Sequence, residues 1–520
     1  MINLDALIQN PLGYIHTLAQ ESEVMPDFGI QASIRQAAAE NPAFLNSIPF
    51  IQTNLDIEQV SPGSLVRFRC QGLFHHSKTC SLLKFKIGDV FYTSIVNSDL
   101  PADAEMPMIE SNQPFLIENQ IFGASSIHEL TEWNKSSPSQ EIIHFSLSSE
   151  IEPPNEFHNL VQILVKLPNE EELLPFTAYD IIGVFEEQEP FELGVHDKFI
   201  TTYIDTLPRF DCLCILPIES LYSLPHEITS SFPPLPLIRQ QILTVFTSIM
   251  APPQAEILLL WLIGKCIPAQ NNLILGIFSL NFYNASTNEA KCLYKFLSFL
   301  CSAVSHQKIT ISEISNKKFQ PQYKDGAYSH SFLASVNGTR TIIDETEYEL
   351  NQPGQDQESL KSNTLSEKAK ENLEFLSQAV SAQKLSYDFE GSINTFIFSS
   401  PILVFSALPS IFGADVSLPI GETTLEKEFD FSPSDLMIYR YYIENTRLLE
   451  NSPFDDEVEK LVSDVMKNMI STRKVSQQDL HIFMTLCELR AKSEGSQLTS
   501  QHISEVQNLF QYILQNRVHK

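Results

Sequence analysis

Apolar and polar positions alternate through the first third of the chain. In SLVRFRCQGLF (64–74), Val66, Phe68, Cys70 and Gly72 share one parity, and Leu65, Arg67, Arg69 and Gln71 share the other. CSLLKFKIGDVFYTS (80–94) behaves alike, and LVQILVKL (160–167) and YDIIGVFEE (179–187) extend the series. A period of two predicts strands. Gly183 inside the last of them is the residue expected where a strand bends round a small barrel. Residues 1–47 read as helical, with Asn10-Pro11-Leu12-Gly13 as a turn or helix start. The stretch 100–157 mixes Pro, Ser and acidic residues (SSPSQE, SSEIEPPNE) and reads as a surface insertion with one strand candidate at 115–122.

From residue 237 the period changes. LIRQQILTVFTSIM and AEILLLWLIGKC predict helices, the second preceded by Ala251-Pro252-Pro253, where proline suits a first helical turn. NLILGIFSLNF (272–282) is a near-continuous apolar run of the kind found in buried parallel strands. The helix EAKCLYKFLSFL follows, then strands in KITISEI, TRTIIDE and INTFIFSS (393–400). Strands alternating with helices predict a layered α/β domain. Beyond 434 the pattern is helical. Val458, Leu461, Val462, Val465, Met466 and Met469 fall on one face, as do Ile503, Val506, Leu509, Phe510 and Ile513. Ser476-Gln477-Gln478-Asp479 predicts an N-cap. The domains expected are 1–47, a β-domain over 48–190, a Pro-rich linker over 191–236, an α/β domain over 237–430 and a helical domain over 431–520. The fold class is α+β, multidomain.

Charge narrows the function. Against 34 Lys and Arg stand 64 Asp and Glu, a formal net charge of −30. An acidic surface repels phosphate backbones and suits basic protein partners, so direct DNA binding is disfavoured. MINLDALIQN has no basic start before an apolar run, so it does not read as a signal peptide. AEILLLWLI (255–263) is about half the ~20 residues that cross a bilayer. The eight cysteines form no Cys-x-x-Cys pair and read as reduced thiols.

One motif raises the question of catalysis. Thr341-Ile342-Ile343 runs into Asp344-Glu345, and in nucleotide hydrolases such an acidic pair after an apolar strand holds magnesium and polarises water. The complementary phosphate loop is missing. Gly264-Lys265 is followed by Cys266, and Leu259 stands at the position of the first glycine. The loop after the 272–282 run, Tyr283 to Glu289, has neither glycine nor lysine, and Glu289 falls where a phosphate would meet the helix N-terminus. Asp344 and Glu345 then read as a strand end capped by solvated acids, or as a degenerate remnant of a nucleotide site. Cys70, His75, His76 and Cys80 lie close together, but their spacing is not that of paired zinc ligands. Cys212-x-Cys214 has no partner nearby. Phe68, Phe74, Phe85, Phe91 and Tyr92 with Arg67, Arg69, Lys84 and Lys86 could serve a single strand of nucleic acid, and they match core strands equally well. No Gly-x-Ser-x-Gly elbow occurs.

Several stretches in order resemble the mini-chromosome maintenance (MCM) complex-binding protein family. They are Asn10-Pro11-Leu12-Gly13, Pro62 to Cys70, Tyr179-Asp180-Ile181-Ile182-Gly183-Val184, Ala255 to Leu260, Leu280-Asn281, Ile342-Ile343-Asp344-Glu345-Thr346 and Tyr387-Asp388-Phe389. The chain departs from the family chiefly in the 100–157 insertion, which is shorter and differently composed. The resemblance implies a non-enzymatic partner of MCM helicase subunits or subassemblies. Its expected roles are assembly, protection or unloading of the MCM complex in DNA replication, the cell cycle, cell division and sister-chromatid cohesion. It implies the nucleus, with the cytoplasm as a second compartment, and no catalytic residue, cofactor or metal. In fold it implies an OB-like β-barrel, then a degenerate AAA-like α/β domain in which Asp344 and Glu345 are a Walker-B-like remnant, then a helical lid. The alternatives are a weak or conditional AAA-type ATPase and an OB-fold single-strand nucleic-acid binder. The insertion, the Pro-rich 215–237 arm and the acidic 344–372 segment are candidate interfaces, each also readable as solvated loop.

Overall fold

The structure is a computed structural model. It describes residues 2–21, 29–40, 42–51, 54–82, 85–87, 90–93, 95–96, 116–126, 143–147, 162–167, 178–186, 207–218, 224, 226–268, 274–316, 319, 322–324, 327–329, 333, 336, 338–348, 366–389, 392–421, 423–424, 427–449, 456–473 and 475–517. The chain divides into two compact units. The first takes residues 1–128, 157–219 and 322–330, and the second takes 129–156, 220–321 and 331–520.

In the first unit, helices α1 (Leu4–Gln9), α2 (Pro11–Glu21) and α3 (Ile30–Glu40) precede the sheet. Asn10 caps the end of α1, and its side chain accepts a hydrogen bond from Gly13 N–H at 3.1 Å as Pro11 opens α2. The strands are β1 (Phe50–Ile51), β2 (Leu65–Leu82) and β3 (Leu116–Ser126). The next in chain order, β4 (Ile143–Ser146), belongs to the second unit. The first unit resumes with β5 (Gln162–Leu167), β6 (Ala178–Glu186) and β7 (Arg209–Pro217). Their order, β1-β2-β3-β5-β7-β6, is closed by pairing of β6 back onto β2. The result is a five-stranded ring, antiparallel except for β5 beside β7, with β1 added outside.

Strand alternation sorts the side chains between two cores. Val66, Phe68, Cys70, Val165, Ile181 and Phe210 fill one, while Leu65, Ile182, Val184, Leu213 and Cys214 meet Leu7, Ile15 and Ile34 of the helices in the other. Burial on both faces removes apolar area from water on each side, which stabilises by ~25 cal/mol per Å². Gly183 lies at a register shift between β6 and β7. A Cβ there would meet the carbonyl oxygen of Asp211 at 2.1 Å, so a side chain is excluded.

Two expectations are corrected in this unit. Residues 209–217, expected within a Pro-rich linker, form β7 at the centre of the ring, where Phe210 is fully buried. The strand in the expected insertion is longer than its 115–122 candidate and runs along β2 as β3. The rest of the expected insertion lies mostly outside the described residues.

The second unit holds helices α4 (Leu235–Thr247) and α5 (Pro252–Leu262), then β8 (Leu280–Tyr283), α6 (Thr287–Leu300), β9 (Val304–Lys308), β10 (Arg340–Glu345), α7 (Glu367–Ala382), β11 (Ile402–Ser406), β12 (Val416–Pro419) and β13 (Glu428–Phe431). Helices α8 (Pro433–Thr446), α9 (Asp456–Arg473), α10 (Gln477–Lys492) and α11 (Ser500–Asn516) complete it. The main sheet has the order β9-β10-β11-β8-β12 and is parallel throughout.

Here too the local pattern is amended. The 272–282 run is not one strand, because Gly276 turns it at φ +76°, and a Cβ there would meet the carbonyl oxygen of Lys265 at 2.4 Å. Only 280–283 enters the sheet. KITISEI is not a strand. β9 ends at Lys308, and Ile311–Asn316 is a short helix whose Glu313 N–H is held by the Thr310 hydroxyl at 3.2 Å. INTFIFSS supplies a hairpin strand, Ser392–Ile397, rather than a sheet strand. Among the helices, Ser476 forms a reciprocal capping box with Asp479 at the start of α10. On α9, Val458, Val462 and Met469 are buried, but Leu461 is 37% exposed, so the apolar face is narrower than expected.

Candidate functional site

Open parallel sheets hold ligands at the carboxyl ends of their strands, where neighbouring connections run to opposite sides. β8 is such a place. β9, β10 and β11 lie on one side of it and β12 on the other. The loop from Tyr283 to Ser286 and the first turn of α6 leave its carboxyl end. Asp344 and Glu345 end β10, two strands away.

The loop is closed by its own groups. Asn284 takes a left-handed conformation at φ 60°, and Ala285 N–H donates to the Ser406 carbonyl at 3.0 Å. Ser286 is the N-cap of α6. Its N–H and hydroxyl both donate to Glu289 Oε2 at 2.8 Å, and its hydroxyl accepts from Glu289 N–H at 3.2 Å. The Thr423 hydroxyl donates to Glu289 Oε1 at 2.7 Å. A helix N-terminus attracts anions through its free amides and dipole. In this chain a resident carboxylate takes that place.

The acidic pair is not solvated, contrary to the simplest expectation for a strand end. Asp344 is 1% exposed and Glu345 0%. Asp344 Oδ1 accepts from Thr346 N–H at 2.9 Å and from the Thr346 hydroxyl at 2.6 Å, and its Oδ2 lies 3.5 Å from His306 Nε2. The hydroxyls of Thr346 and Thr287 are 2.9 Å apart, which ties the β10 end to the first residue of α6. Burial alone would raise the Asp344 pKa. The close contact with His306 and the hydrogen bonds from Thr346 outweigh it and hold the carboxyl below its ordinary value. Glu345 Oε1 accepts from the Ser410 hydroxyl at 2.7 Å, and Oε2 lies 3.4 Å from Ile411 N–H. Burial, then the Glu345 charge, pushes the neighbouring Tyr348 phenol up to about 12.

The opposite end of β10 carries a group that sequence inspection did not single out. Arg340 is 1% exposed and its Nη1 pairs with Glu444 Oε1 of α8 at 2.7 Å. Its remaining donors reach the carbonyls of Leu262 and Ile443, at the ends of α5 and α8. The signal available in sequence was a charged residue immediately before the β-branched run Thr341-Ile342-Ile343.

Of the other candidates, Arg69 makes a two-pronged pair with Asp180 at 2.9 Å, and Arg67 stacks over Phe50 at 4.4 Å. Phe68, Cys70, Cys212 and Cys214 are core residues. The side chains of Phe74, His75, His76, Cys80, Phe85, Lys86, Phe91 and Tyr92, and residue Lys84 altogether, lie outside those described. Among the described residues no group of three His, Cys, Asp or Glu side chains could hold a metal ion. Likewise, no helix is long and apolar enough to cross a membrane.

The fold and this edge define a mixed α/β protein with a parallel sheet, at whose carboxyl edge the acidic side chains are bonded within the chain. The chain belongs to the family described as mini-chromosome maintenance replisome factor, whose pattern matches residues 191–511. It is 26% identical to a UPF0616 protein of Schizosaccharomyces pombe over 326 residues, 62% of this chain and 59% of that one. It is 24% identical over 302 residues to the mini-chromosome maintenance complex-binding protein of Arabidopsis thaliana, covering 56% and 49%. With the protein of that name from Homo sapiens it shares 25% over 256 residues, covering 46% and 38%. The matches span about half the length of these curated relatives.

Proposed function

We propose that this chain is a non-enzymatic binding partner of MCM helicase subunits, acting in the nucleus in assembly, protection or unloading of the MCM complex during replication and in sister-chromatid cohesion. The observation that carries the reading is membership of the replisome-factor family together with the relatives named for binding the MCM complex. The filled helix N-terminus and the buried, internally bonded acidic pair support a role without nucleotide turnover.

The topology supports a likeness to the helicase subunits themselves. A closed five-stranded ring followed by a parallel sheet and a helical tail is the order expected of an OB-like barrel, a degenerate AAA-like domain and a lid. A chain built from those parts in that order can dock where a helicase subunit docks, and its −30 charge suits the basic surfaces that face DNA. Arg67 and Arg69, engaged with Asp180, leave less free positive charge on the ring for a nucleic-acid strand.

The test is capture of each purified MCM subunit by the purified chain, with and without ATP. Selective capture of one or a few subunits is expected. Failure to capture any subunit or subassembly overturns the reading.

A further inference from the structure

β4 is a strand supplied by a connection that the first unit does not need. β3 and β5 pair antiparallel, and such neighbours can be joined by two residues. Here residues 127–161 join them. The middle of the connection, Ile143–Leu147, is seated in the second unit.

The seat is built from α6 and β13. β4 pairs antiparallel with β13, Phe145 opposite Phe429 and His144 opposite Asp430. Leu147 N–H donates to the Lys427 carbonyl at 3.2 Å. Two α6 side chains read consecutive main-chain carbonyls of the occupant. The buried Lys295 ammonium donates to Ser146, and the Cys292 thiol donates to Leu147 at 3.4 Å. Phe145 is the anchor. It stacks on Phe299 with centroids 4.4 Å apart, meets Phe296 at 6.1 Å and lies under Lys295 Nζ at 5.2 Å. Cys292, Lys295, Phe296 and Phe299 are spaced i, i+3, i+4 and i+7, so they form one stripe of the helix. Backbone reading by fixed donors, with pockets at alternate side chains, is the physics of strand addition.

We propose that the α6–β13 face is a peptide-binding groove for an extended apolar-x-aromatic-x-apolar segment. Ile143–Leu147 is its resident occupant in cis, and a partner protein's segment of the same pattern takes the groove by displacing it. The chemistry of the partner segment follows from the resident: apolar at the first and last positions, aromatic in the middle, and a free backbone for Lys295 and Cys292. The resident belongs to the same chain, so an untethered peptide meets an intramolecular competitor in the intact protein.

The probe is a fluorescent peptide of residues 141–149, EIIHFSLSS, titrated into the full chain by anisotropy. The Phe145→Ala chain, whose resident has lost its anchor, is expected to bind at least tenfold more tightly than the wild type. A peptide carrying Phe145→Ala is expected to lose that gain. A second variant leaves the core untouched. His144→Cys with Asp430→Cys joins two exposed, directly opposed positions. Oxidation to a disulfide locks the resident in place and is expected to weaken peptide binding at least tenfold relative to the reduced chain. Equal affinity in the wild-type and Phe145→Ala chains, or in the oxidised and reduced chains, overturns the proposal. These readouts use no MCM subunit, so they are separate from the capture experiment.

Discussion

The two ends of β10 are both charged, both buried, and satisfied in different ways. Arg340 at the start is met by the opposite charge of Glu444. Asp344 and Glu345 at the finish are met by His306, two hydroxyls and backbone amides. A buried charge costs several kcal/mol unless it is paired and hydrogen-bonded, so each end must find partners within the fold. The first end acts as a pin between the sheet and the helical tail. At the second, the carboxylate lone pairs face donors of the same chain. Acidic residues after a strand are therefore no evidence of catalysis until their partners are known.

The sharpest way to break this contrast is at the Arg340 end. Glu444→Ala leaves a buried guanidinium unpaired and is expected to lower unfolding stability by about 3–5 kcal/mol, read by urea denaturation. A loss no greater than that of a surface substitution would remove the pin. At the other end Glu345→Ala strands the Ser410 hydroxyl and Ile411 N–H. The expected loss is about 1–3 kcal/mol, and a larger loss than at Glu444 would reverse the ranking of the two ends. Glu289→Ala removes the carboxylate half of the α6 capping box and frees the Thr423 hydroxyl, while Ser286 still caps the N–H of residue 289. The expected loss is about 0.5–1.5 kcal/mol, measurable as a lowered melting temperature.

The smallest effect is a pH dependence. The folded-state pKa of Asp344 is depressed below its ordinary 3.8. Its contribution is therefore fully present above that value and is lost as pH falls through the folded pKa. The stability gap between wild type and Asp344→Asn should narrow from neutral pH to below about pH 3.8. A gap that widens with acid would contradict the assigned hydrogen bonds.

Local chemistry was the legible part of the fold. The Asn10-Pro11 junction and the Ser476–Asp479 cap follow from side-chain groups within a few residues of one another, whereas Gly183 stood out as a glycine within a strand although the Asp211 carbonyl that excludes a side chain there is distant in sequence. β10 was legible because Thr341 to Ile343 are apolar or β-branched and end in acids. What escaped was set by distant partners. β7 hides in a Pro-rich stretch and is a strand because β5 and β6 lie on either side of it. β11, a short run after Pro401, is central to the second sheet only through β8 and β10. Arg340 and Glu444 are 104 residues apart, and neither carries a local sign of the other. The acidic pair was recognised, but its burial depends on Ser410 and His306, which no period or spacing connects to it.

The contrast between the two ends comes down to whether the carboxyl edge of the second sheet takes a nucleotide. The direct measurement is equilibrium titration of the full wild-type chain with MgATP by calorimetry, with Asp344→Asn beside it. The account predicts no saturable binding by either chain through the millimolar range. Saturable binding by the wild type that disappears in Asp344→Asn would show the acidic pair to be a working nucleotide site, and would contradict it.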